Sequence, residues 1–221
     1  MHKKCFAVLL YLVAHTVCAQ RPLPDSNNEF ALDFYKARSS GLKNIVVAPF
    51  SISCAIGMMY PGMGGETAEE VRNAFFFNKK VARHVDDFSD LLTNLNNSSG
   101  SLKISNSLWL SPAIKFSPSF LSITKENFGA HIENLGFSDT EKASQIINDA
   151  VEKQTEGKIK DLISPEALDG PDQIMMLTNA MYFKEAWQTS FDKSKTTKGK
   201  FYKSDGSTTQ AQFMYLSLIH I

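Results

Sequence analysis

The chain has 221 residues, 43% of them apolar and 11% aromatic, enough to bury one sizeable core. Basic and acidic residues stand at 23 each, so the overall charge is not one built for nucleic acid or an anionic membrane.

His2-Lys3-Lys4, an apolar run over 5–13 and the small residues around Val17-Cys18-Ala19 have the three-part layout of a secretory signal peptide, residues 1–19. An N-terminal anchor and a buried helix are the alternatives, though the run is short for a membrane span. A cut after Ala19 removes Lys3 and Lys4 and no acid from the balanced 23 and 23, leaving 21 basic against 23 acidic residues. Cys5 and Cys18 leave with it, and Cys54, among Ile52, Ala55 and Ile56, reads as a buried thiol rather than a nucleophile.

After a proline-containing lead, Ser26 and Glu29 have capping-box spacing for a helix carrying Phe30, Ala31, Phe34 and Tyr35 and ending at Gly41. Residues 44–50 read as a short strand halted at Pro49, and Ser51 as the cap of an apolar helix over 52–59. Pro61 should end that helix early or kink it. Thr67 and Glu70 form a second capping box, for a helix with Val71, Ala74 and Phe75. The next helix, 85–95, buries Phe88, Leu91, Leu92 and Leu95. Asn96-Asn97-Ser98-Ser99 holds two overlapping sequons, so Asn96 or Asn97 is a candidate glycan carrier in a secreted chain.

Leu102, Ile104, Leu108 and Leu110 recur with period two, a strand. Ser117-Pro118 opens a helix that Gly129 stops, residues 130–137 read as a strand, and Ser138 with Glu141 caps a helix carrying Ile146, Ile147, Ala150 and Val151. The run 174–183 is apolar apart from Thr178 and Asn179, as in a strand covered on both faces whose amide needs a buried partner. Helices and strands alternate without βαβ spacing, so the fold class is α+β.

The order of segments carries a resemblance. NIVVAPFSISCAIGMM with GMGGETAEEV, NSLWLSP, FGAHIENLGF, IINDAVEKQTEGKIKDLISP and TNAMYFKEAW occur in sequence as they do in serpins, over residues 28–214. The resemblance implies the serpin fold, a mixed main sheet surrounded by helices, with residues 26–215 as part of one domain. NSLWLSP would be the second main-sheet strand, FGAHIENLGF the first and TNAMYFKEAW the third.

The resemblance implies a secreted protease inhibitor of the extracellular space, acting on serine or alternatively cysteine proteases. It would trap its target by inserting a reactive loop beside the strand containing Asn179. A non-inhibitory carrier, chaperone or storage protein is the alternative. Ser51, Ser53 and Asn179 match the polar cluster where the sheet parts, and Trp187 the point of first insertion, so these four are the candidate conformational gate. Ser51 as a plain cap, Asn179 as a satisfied core amide and Trp187 as a packed core aromatic are the structural alternatives. Ala48 stands where the family usually has serine, a departure near that cluster.

Some members bind heparin through the helix matching 85–95, but here Asp86, Asp87 and Asp90 would repel a polyanion, despite Lys79, Lys80 and Arg83 before them. Family members continue past the equivalent of Met214 into the reactive loop and closing strands, and residues 216–221 depart from the pattern. They read as the tail of a truncated or misassembled frame, or of a genuine short isoform, which would not inhibit by itself. No Gly-x-Ser-x-Gly elbow, phosphate loop or zinc spacing occurs, and His84, His131 and His220 lie far apart. The chain is therefore expected to be no enzyme and to need no cofactor or metal.

Overall fold

The computed structural model describes residues 21–39, 44–97 and 101–216. Residues 1–19, read above as a signal peptide, Gly41, Ser98, Ser99, His220 and the tail after Leu216 lie outside these residues.

A three-stranded sheet organises the chain around β1 (Ser101–Leu110). It runs parallel to β2 (His131–Asn134) on one side and antiparallel to β3 (Met175–Lys184) on the other. The spatial order β2-β1-β3 is the first-second-third order that the segment resemblance implies. Period two sends the side chains of β1 alternately into two layers. Ile104, Leu108 and Leu110 meet the layer of α2 (Pro49–Met59), α4 (Val81–Asn96) and α5 (Pro118–Phe128), with Cys54, Met58, Phe88, Leu92, Phe120 and Phe128. Trp109 faces the other way, onto α6 (Thr140–Gln154), and packs with Leu135, Phe137, Ala143, Ile147 and Val151.

Several helix starts differ from expectation for local reasons. α1 (Leu23–Arg38) begins before Ser26, with Pro24 in its first turn, where the missing N–H needs no partner. The Ser26–Glu29 box does not form, because Glu29 pairs with Arg21 and Ser26 is buried. Residues 44–48 form no strand, no described strand pairs with them, and Val46 is 98% exposed. Pro49 opens α2 instead of halting a strand, so Ser51 sits inside the first turn and is not its cap. Pro61 coincides with the end of α2 and lies in a 3-10 turn, Tyr60–Gly62. α3 (Gly65–Phe75) starts two residues before Thr67, without a side-chain cap, and leaves Ala74 exposed. Asp139, not Ser138, caps α6, accepting from the Lys142 amide at 3.0 Å. The Ser117 start and Gly129 stop of α5 hold, with Gly129 left-handed at φ 62°.

β3 departs most from its expected setting. Thr178 and Ala180 are buried, but much of the strand is half-buried, Phe183 is 66% exposed, and no described strand pairs with its outer edge. A hairpin, β4 (Thr197–Tyr202) and β5 (Thr208–Phe213), forms a separate sheet closed by a turn with Gly206 at φ 79°. Its Asp205-Gly206 turn is a standard hairpin signal that the sequence reading passed over. Among the described residues no helix is long and apolar enough to cross a membrane.

At Gly57 α2 packs closely on α4: a Cβ there would lie 2.8 Å from Phe88 Cζ. The ring is fully buried and has little room to retreat. Gly57→Ala is therefore expected to destabilise the fold by about 1–3 kcal/mol, despite alanine's better helix propensity, read as a lowered denaturant midpoint at unchanged slope.

Candidate functional site

At the centre of the sheet, β1 and β3 are in register so that Asn106 stands opposite Asn179. The Asn179 Nδ2 donates to Asn106 Oδ1 at 2.7 Å, and Asn179 Oδ1 accepts from the Ser51 hydroxyl on α2. Asn106 Nδ2 donates in turn to the Phe128 carbonyl at the end of α5, at 3.1 Å. One hydrogen-bonded chain thus ties helix α2, both strands and α5 together beneath the sheet.

Cys54 flanks this chain, its Sγ 3.5 Å from Asn106 Nδ2. Burial pushes its thiol up to about 11, against the lowering effect of the Asn106 contact. It stays protonated at neutral pH, unlike a thiolate nucleophile. Ser51 has an amide and not an imidazole as its partner, so the cluster lacks a nucleophile–base pair. Among the described residues no group of three or more His, Cys, Asp or Glu is placed to hold a metal.

Of the four gate candidates, Ser51 and Asn179 are joined directly. Ser53 is fully buried nearby on α2, but its hydroxyl has no hydrogen-bond partner among the described residues. Trp187 lies past the end of β3, 71% exposed, with its ring edge-on to Phe191 at 5.8 Å. It is therefore neither part of the polar chain nor the packed core aromatic of the alternative reading.

Asn106, the link of the chain, was missed. Its signal was available: it takes an inward position in the period-two series of Ile104, Leu108 and Leu110, where an amide must find partners.

The opposite face of β1 is polar at another point. The Gln154 Oε1, at the last residue of α6, accepts from Ser105 at 2.5 Å and from Ser107 at 3.3 Å. Trp109 Nε1 donates to Thr178 Oγ1 at 3.1 Å, bracing β1 to β3 from above. On α4, Asp86 and Asp90 face solvent, while Arg83 pairs with Asp87 at 2.9 Å. Asn96 ends α4 and Asn97 follows it, both exposed.

Compared with known proteins, residues 25–219 match the profile of the family described as Serpin (serine protease inhibitor). The human leukocyte elastase inhibitor is 34% identical over 198 residues, covering 87% of this chain and 52% of that protein. Serpin48 of the insect Tenebrio molitor superposes with a TM-score of 0.80 at 31% identity, over 88% of this chain and 53% of its own. Cleaved kallistatin complexed with heparin superposes with a TM-score of 0.77 at 33% identity, over 86% and 57% respectively. The chain spans about half the length of the curated relatives it matches.

Proposed function

Because this chain belongs to the serpin family, we propose that the protein is a secreted inhibitor of serine proteases, with cysteine proteases as the alternative target class. In this reading a protease cleaves a reactive loop and is held as an acyl-enzyme while the loop adds as a strand beside β3. On this reading that loop would belong to the part of the relatives' length that this chain does not span. The observation that carries the reading is the Ser51–Asn179–Asn106 chain beneath a strand whose outer edge no described strand occupies. Such a chain can hold two strands together in one sheet state and exchange partners in another.

Secretion rests on the layout of residues 1–19, and glycosylation on exposed Asn96 and Asn97. Ser51 and Asn179 act as gate residues that touch no protease; for Ser53 and Trp187 the role rests on the resemblance alone. Two of the structural neighbours were solved with heparin, but α4 is not proposed as a heparin site. Its one described basic residue, Arg83, is taken up by Asp87, and Asp86 and Asp90 are exposed.

The test is to express the full product of the gene in secretory cells and incubate the protein recovered from the medium with a protease panel. The expected result is a chain beginning at Gln20 and an SDS-resistant complex with at least one protease. Cleavage by every protease without any such complex would overturn inhibition and leave the carrier, chaperone or storage reading. Retention of the uncut chain inside the cells would overturn secretion.

A further inference from the structure

His84 is an imidazole at 1% exposure, on the buried face of α4. Its Nε2 lies 2.8 Å from the Gly57 carbonyl on α2. A carbonyl only accepts, so Nε2 carries the proton and Nδ1 is left with a bare lone pair. Tyr60, Phe77 and Phe88 crowd the ring, with centroids 4.6–4.8 Å away. Nδ1 has no partner among the described residues.

A cavity of about 60 Å³ borders the same ring, at the junction of α1, α4 and the turn after α3. Ser26, Asn78 and Asp87 line it together with His84, whose Nδ1 is the ring nitrogen that the Gly57 bond leaves uncommitted. A cavity needs roughly 10–15 Å³ and two to four polar partners to hold a water molecule. This one exceeds that volume, and Ser26, Asn78, Asp87 and His84 are the polar residues that border it.

The charged groups around it are already committed. Arg21 pairs with Glu29, and Asp87 with Arg83 at 2.9 Å. Asn78 Oδ1 accepts from the Lys80 amide at 2.9 Å. On the far side Arg72, in α3, borders the neighbouring surface pocket, Lys79 and Lys80 are exposed, and α2 has no charged residue. No free carboxylate therefore faces the ring to receive an imidazolium.

We propose that this cavity is an internal hydration site whose water donates to His84 Nδ1, and that a proton delivered there opens the joint between α1, α2 and α4. Burial holds His84 down to about 4 from its ordinary 6.5, opposed by the Gly57 bond. The opened state takes the proton more readily, so the joint is fully stable above about pH 6.5 and weakens as the pH falls toward 4.

Two measurements on the whole protein test this. Nitrogen-15 spectra of the histidines should show the Nε2–H tautomer for His84 and a magnetisation-transfer signal from water to its ring. Amide exchange of α1, corrected for intrinsic rate, should lose protection by at least about tenfold between pH 7 and about pH 4.5, and a His84→Gln variant should show little such loss. An Nδ1–H tautomer, the absence of the water signal, or an equal loss of protection in the variant would each overturn the proposal. The tautomer and water signals are read on the unsubstituted protein, so they decide even if the variant does not fold.

Discussion

Replacing Trp109 by alanine is expected to destabilise the protein by about 4 kcal/mol, the range for emptying a fully buried aromatic site. Trp109 is 0% exposed and stands at the middle of the cluster that joins β1 to α6. Its loss removes packing from Ala143, Ile147 and Val151 and leaves the buried Thr178 hydroxyl without its donor. The checking measurement is equilibrium unfolding in denaturant, where the midpoint should fall without a change of slope. Trp109→Phe helps separate the two contributions, since it keeps most of the volume and loses the N–H. It should cost roughly 1–2 kcal/mol. Trp187→Ala, at a largely exposed ring, should stay within about 0.5 kcal/mol. A comparable cost at both tryptophans would contradict the packing described.

The second large effect belongs to Asn106. Asn106→Leu keeps the branched shape and removes both ends of the amide, leaving Asn179 Nδ2 and the Phe128 carbonyl unpaired. An orphaned buried polar group costs roughly 1–3 kcal/mol, so about 3 kcal/mol in total is expected. Calorimetric melting of Asn106→Leu, Asn179→Ala and the double variant measures it. The two changes should be non-additive by about 1 kcal/mol or more, because the second removes a group that the first has already orphaned. Additive losses would mean that the two amides act separately and that no chain of bonds spans the sheet.

Much of this architecture could be read from the residues. The alternation of Leu102, Ile104, Leu108 and Leu110 identified β1, and Ser117-Pro118 with Gly129 bounded α5, because those signals are local and nothing competes for them. The capping boxes failed where another partner won. Glu29 turned to Arg21, and prolines set the first turn of α1 earlier than Ser26. The strand expected over 44–50 had the composition for one but no described neighbour to pair with, and a strand exists only by its pairing.

Within the site, Ser51 and Asn179 were legible through the resemblance, although Ser51 binds across to β3 and does not cap α2. Asn106 was not, because an asparagine between two serines reads as polar strand filler until the register places it opposite Asn179. For Trp187 it is the packed-core alternative that fails: a large aromatic suggests a core, but only tertiary packing decides whether one covers it.

The Gln154 contact has a mechanical consequence. Gln154 closes α6, and it is the only α6 side chain, among the described residues, that hydrogen-bonds to β1. The turns before it rest on the sheet through Ala143, Ile147 and Val151, apolar contacts that part gradually and can re-form after sliding. A force lifting the N-terminal end of α6 therefore meets, before the last turn, only the two amide bonds of Asn148 to Ile163 in the following loop and none to the sheet, whereas a pull along the axis loads both serine bonds together. The helix behaves as a lever with its fulcrum at Gln154: compliant to peeling from one end, stiff to shear.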